Sequence, residues 1–178
     1  MDFTNATLSF EGDRVIVRTM EKQDATERYA SWINDPEVNR YLGTKSTTIK
    51  ELHDYIAHWN NQPDALFFGI FLKDNTHIGT IKLEPIEMKK KTVMIAIMVG
   101  DKESWGKGYG GEAMRILMNW CFEELDMEEI TLGVVATHTQ AIRAYEKLGF
   151  KGYELEPQCL HYGDEIHDRL YMAVKRPS

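Results

Sequence analysis

Apolar and polar positions follow two rhythms along this chain, and each change of rhythm marks an element. Arg14-Val15-Ile16-Val17-Arg18 predicts a first strand. Asp24 predicts the cap of a helix carrying Tyr29, Trp32 and Ile33, and Asp35-Pro36 a short helical restart. Thr48 and Glu51 form a capping box ahead of Ile49, Leu52, Ile56 and Trp59, which recur at helical spacing until Pro63 and Asp64. Three strand-like runs follow, Leu66 to Leu72, Ile78 to Leu83 and Val93 to Val99. Their polar links, Lys73 to Thr76 and Glu87 to Lys91, are short enough for an antiparallel meander.

The second half changes character. A glycine-rich segment leads into a helix reaching about Leu125, predicted to turn Ala113, Ile116, Leu117, Trp120 and Cys121 inward. Ile130 to Val135 reads as a strand, and Gln140 to Leu148 as a helix stopped by Gly149. Phe150 to Glu156 and His167 to Val174 complete the sheet across Gly163-Asp164. Antiparallel strands first and a strand–helix–strand unit later predict an α+β fold, a mixed and mostly antiparallel twisted sheet flanked by helices. The length, 178 residues, predicts one domain spanning 1–178.

Composition narrows the function classes. At 43% hydrophobic and 28% charged the chain reads as an ordinary globule, and the net charge of −7 argues against nucleic acid. The start of the sequence predicts no signal peptide, and no apolar stretch predicts a membrane span. Cys121 and Cys159 make neither a metal spacing nor a disulfide framework, which points to a reduced cytoplasm. His53 and His58 lie five apart, off a shared helical face, so no zinc site and no metal is expected.

Candidate chemistry concentrates in Trp105-Gly106-Lys107-Gly108-Tyr109-Gly110-Gly111. Four glycines at the start of a helix bare the backbone amides, and the helix dipole favours an anion there. A nucleoside triphosphate fits poorly, because Glu112 stands where a lysine and Ser or Thr would follow the last glycine. Gly106, Gly108 and Gly111 satisfy a dinucleotide fingerprint by letter. Residues Asp101 to Trp105 intervene after the strand, however, and the next strand ends at Val135-Ala136-Thr137 without an acid for a ribose. A coenzyme A diphosphate is the third candidate.

With that candidate the sequence resembles the GNAT superfamily of N-acetyltransferases. The glycine segment is similar to the family's acetyl-CoA loop, and Ala141-Ile142-Arg143-Ala144-Tyr145-Glu146-Lys147-Leu148-Gly149-Phe150 to its A-I-x-x-Y-E-K-x-G-F helix. Trp32 to Val38 and Gly163 to Met172 resemble the Rim-type branch, named for acetylation of ribosomal protein N-termini. The resemblance implies direct transfer of acetyl from acetyl-CoA, as cosubstrate, to a primary amine. The acceptor would be a protein N-terminus or a small amine such as an amino sugar, polyamine or drug. A catalytically silent coenzyme A-binding module is the reading from another class, and the protein would be a monomer or homodimer.

The same resemblance distributes roles. The amides of Gly106, Lys107, Gly108, Tyr109, Gly110 and Gly111, with Trp105 before them, would hold the diphosphate. Met98, Val99 and Gly100 would offer main chain to the pantetheine arm, in a V-shaped gap where their strand leaves the Ile130 strand. Ala141 and His138, the latter where relatives carry asparagine, complete the coenzyme wall. Tyr145 is the expected general acid, since a phenol keeps its proton at neutral pH. Many Rim-type relatives have a glutamate where Met94 stands, so Glu84 on the neighbouring strand becomes the candidate base, acting through water, with bulk water as the alternative. Trp32, Tyr41, Tyr55 and Trp59 read mostly as core, with some walling the acceptor site. The excess of acid suits a cationic amine but is too diffuse to assign contacts.

Overall fold

The computed structural model describes residues 1–178 and arranges eight strands and four α-helices around one sheet of order β1-β2-β3-β4-β5-β6-β8-β7. β1 (Ser9–Glu11) and β2 (Val15–Thr19) precede α1 (Glu27–Ile33) and α2 (Ile49–Asn60). β3 (Leu66–Leu72), β4 (His77–Glu87) and β5 (Thr92–Val99) form the predicted meander, antiparallel throughout. α3 (Tyr109–Glu123) then carries the chain over to β6 (Glu129–Val135), which lies parallel to β5. α4 (Thr139–Lys147), β7 (Lys151–Tyr162) and β8 (Glu165–Lys175) finish the chain. The mixed sheet flanked by helices is the fold class expected from the pattern.

Alternation along the strands separates two cores. Ile81, Leu83, Val93 and Ile95 pack with Leu117 and Cys121 of α3 on one face. Phe67, Trp32, Ile33, Leu52 and Ile56 pack on the other, beneath α1 and α2, with Met98 against them. Local chemistry fixes the helix starts. Thr48 and Glu51 do form the capping box, with Thr48 N donating to Glu51 Oε2 at 2.8 Å and Glu51 N to Thr48 Oγ1 at 3.2 Å.

Three details differ from the sequence expectation. Thr26, not Asp24, caps α1. Asp24 instead receives the Arg18 guanidinium at 2.8 Å on both oxygens, because a buried carboxylate is better satisfied by a bidentate cation than by a single amide. β1 is too short and polar to carry a strand pattern, and it is held by pairing with β2. α3 is rotated from the expected face. Met114, Met118 and Phe122 are buried with Ala113, Leu117 and Cys121, while Ile116 and Trp120 sit half-buried at the edge.

Candidate active site

The site begins where the sheet stops pairing. β5 and β6 share only three register positions, Thr92 with Glu129, Val93 with Ile130 and Met94 with Thr131. Beyond Met94 the strands separate, and a cleft of about 920 Å³ opens between them. β5 therefore presents to the gap one row of main-chain groups that no strand pairs. Gly100 N donates to Ile78 O at 3.0 Å while Gly79 pairs with Val99, so the antiparallel alternation turns Met98 toward β4 and Ile97 and Val99 toward the gap. Of the three residues expected to offer main chain, Val99 alone faces the cleft with its own groups. Gly100 has a different duty, since a Cβ there would fall inside the Trp32 indole. Ile97 has no sequence signal, because its role comes from strand parity.

The glycine segment closes the cleft at one end. Gly106 and Gly108 adopt φ of 72° and 81°, which non-glycine residues seldom take. Gly108 is the N-cap of α3 and no side chain caps the helix, and the first return bond in its opening turn is Glu112 N to Gly108 O at 3.0 Å. The amides of Tyr109, Gly110 and Gly111 are thus the orphan donors of the first turn, and all three residues line the cleft. Nothing lies within 4 Å of a Cβ built on Gly111, whereas one on Gly110 would crowd Val99 Cγ2 at 3.1 Å and Ile97 Cδ1 at 3.3 Å. The bare face and the close approach of helix to strand are what an anion at this terminus requires, so the residues present fit the diphosphate of coenzyme A.

Two braces hold this loop. The Trp105 indole N–H donates to Val99 O at 2.7 Å, tying the loop back to β5. Arg14 donates to Lys107 O at 2.8 Å, pairs with Glu112 at 2.8 Å and stacks 4.9 Å from the Tyr109 ring centroid. Sequence reasoning missed Arg14, which lies far upstream and reads there as an ordinary strand residue. Lys107 offers its carbonyl to Arg14 and leaves its side chain exposed, outside the cleft lining.

α4 forms the facing wall, with Ala141, Ala144 and Tyr145 lining the cleft. Tyr145 rests 6.1 Å from the Phe150 ring, and burial pushes its phenol up to about 12, so its oxygen carries the proton at neutral pH. His138 occupies the N-cap position of α4 without capping it. Its ring packs 5.0 Å from Tyr41, and burial, then Arg40, lowers its pKa.

A second pocket of about 490 Å³ lies on the α1–α2 side and shares Leu42, Ala96, Ile97 and Met98 with the main cleft. Tyr29, Tyr55, Thr80 and Lys82 line it. Glu84 lines neither cavity. It sits in the irregular stretch of β4 between Leu83 and Ile86, level with the part of β5 that still pairs with β6, and its nearest oxygen is 4.0 Å from Lys82 Nζ. The aromatics divide accordingly: Trp32 is core, Tyr41 walls the main cleft, Tyr55 the second pocket, and Trp59 lies beneath Lys82.

Comparison with known proteins agrees with this geometry. The family described as Acetyltransferase (GNAT) domain matches residues 14–151. The uncharacterized N-acetyltransferase p20 of Bacillus licheniformis is 29% identical over 144 residues, covering 78% of this chain and 80% of that protein. Among solved structures, the spermidine N-acetyltransferase of Vibrio cholerae in complex with CoA and spermine superposes with a TM-score of 0.83 at 18% identity, over 92% of this chain and 96% of that one. A protein provisionally assigned as a ribosomal-protein-serine acetyltransferase, also of Vibrio cholerae, gives 0.81 at 16% identity, over 97% and 99%. The chain belongs to the GNAT acetyltransferase family and is an acetyltransferase. No helix is long and apolar enough to cross a membrane.

Proposed function

We propose that residues 1–178 form one catalytic domain that moves an acetyl group from acetyl-CoA directly to a primary amine. The observation that carries this reading is the unpaired stretch of β5, bounded at one end by the uncapped start of α3 and faced by Tyr145. When bound, acetyl-CoA supplies an activated thioester. The amides of Tyr109, Gly110 and Gly111 hold the diphosphate, and the gap-facing groups of Ile97 and Val99 hold the amide-rich arm. Tyr145 keeps a proton on its phenolic oxygen for the departing sulfur. The same partial burial that raises its pKa also raises the basicity of a thiolate formed beside it.

The acceptor enters through the second pocket, which meets the cleft at Ala96 to Met98. Its size suits a small amine or the first residues of a protein N-terminus, and the Rim-type reading is kept as the second of these. The carboxylates lining the two cavities are both engaged: Glu37 receives Lys102 at 3.0 Å and Glu51 serves the α2 cap. With Glu84 off the path, the amine proton is assigned to water. Calorimetry with CoA and acetyl-CoA, followed by thiol release over an amine panel, tests the proposal. Binding with turnover on at least one amine is expected. No heat with either coenzyme on folded protein would remove it, and heat without turnover would assign a silent coenzyme-binding module.

A further inference from the structure

One charge in the second pocket has no adequate partner. Lys82 stands on β4 under α2 and lines the pocket with its side chain 22% exposed. Its ammonium lies 3.7 Å from the Trp59 ring centroid, and its nearest carboxylate oxygen, on Glu84, is 4.0 Å away, the outer limit of an ion pair. Removing an ammonium from water costs several kcal/mol unless close partners replace the lost solvation. Burial accordingly lowers the Lys82 pKa, against the pull of Glu84.

The remaining polar lining is mostly hydroxyl: Thr44, Ser46, Thr47, Tyr55 and Thr80. The single carboxylate that lines the pocket, Glu51, accepts from Thr48 N at 2.8 Å and Thr48 Oγ1 at 3.1 Å. Lys82 and Glu51 are thus the two charged side chains of the lining, and of the two only Glu51 has close hydrogen-bonding partners.

We propose that Lys82 selects acceptors carrying an anionic group, a carboxylate or a phosphate, a few bonds from the amine, and disfavours polycations. The inference rests on the second pocket being the acceptor site. An anion beside Lys82 supplies the counter-charge that Glu84 is too distant to give, and the hydroxyls complete its shell.

The test is acceptor affinity on protein saturated with CoA, measured by calorimetry at pH 7.5 for an aminoalkyl carboxylate, an aminoalkyl phosphate, a neutral aminoalkyl amide and spermidine. The wild type is expected to bind the two anionic amines about tenfold more tightly than spermidine, the scale of a largely water-screened contact between unit charges. The carboxylate and phosphate arms identify which anion is the better fit. Lys82→Met should bring the ratio to within about threefold, and Lys82→Glu should reverse it. Spermidine binding as tightly as the anionic amines, or a ratio untouched by Lys82→Met, overturns the proposal while leaving the coenzyme reading intact. Loss of CoA binding in the wild type would instead remove the reading beneath it.

Discussion

At the proposed coenzyme end of the cleft the contact surface is main chain: the amides of Tyr109 to Gly111 and the gap side of Ile97 and Val99. At the proposed acceptor end it is side chains from four separate elements, Tyr29 of α1, Tyr55 of α2, Phe67 of β3 and Lys82 of β4. Main-chain binding needs particular φ values and bare faces, which one contiguous run of glycines can encode. Side-chain binding needs residues that meet only after the sheet has formed. The first end is therefore written locally, in a few glycine positions. The second is written by topology, and its specificity can alter with single substitutions.

Variants at the two ends should respond differently. Tyr145→Phe, at the junction, is expected to lower turnover about a hundredfold or more, the range of a lost general acid, with coenzyme Kd changed less than about twofold. A turnover loss under about threefold would remove its role. Gly108→Val forces a branched residue to φ of 81°. Calorimetry should find CoA binding about tenfold weaker, from the roughly 1–2 kcal/mol of left-handed strain displaced into the loop.

Acid should loosen the acceptor end first. His77 is buried beneath it, stacked 4.6 Å from Phe71 and edge-on to Trp32 at 4.9 Å, and burial lowers its pKa to about 4. The unfolded chain then holds more protons than the folded one between about pH 6.5 and pH 4. This contribution is complete above pH 6.5 and is lost as pH falls toward 4. Denaturant melts should lose roughly 1 kcal/mol between pH 6.5 and 5.5, and His77→Leu should flatten that slope. The smallest effect belongs to Lys107→Ala. Its exposed ammonium attracts the diphosphate only through solvent, so CoA affinity should fall by about two- to threefold and the difference should vanish in high salt.

Legibility in the sequence follows the same division. Leu66 to Leu72 appears as a strand at the expected bounds, and the Thr48–Glu51 box starts α2 as read, because both signals lie within one element. Asp24 was the wrong cap, since its pull toward Arg18 depends on β2 lying alongside. Glu84 lies level with the last paired position of β5, and the point where β5 leaves β6 is not written in either strand's own sequence. Arg14 and Lys82 act across long sequence separations, so nothing adjacent to either announces its duty. Gly100 was expected at the site, yet its missing Cβ makes room for Trp32.

The early parting of β5 from β6 has one more consequence. Ile97 and Val99 keep amide hydrogens that no neighbouring strand protects, although β5 lies in the interior of the sheet. In deuterated water these two positions should trade their hydrogens quickly in the free protein and slowly once the cleft is filled. The fold thus carries its own isotope gauge of occupancy, readable without any label or any knowledge of the acceptor.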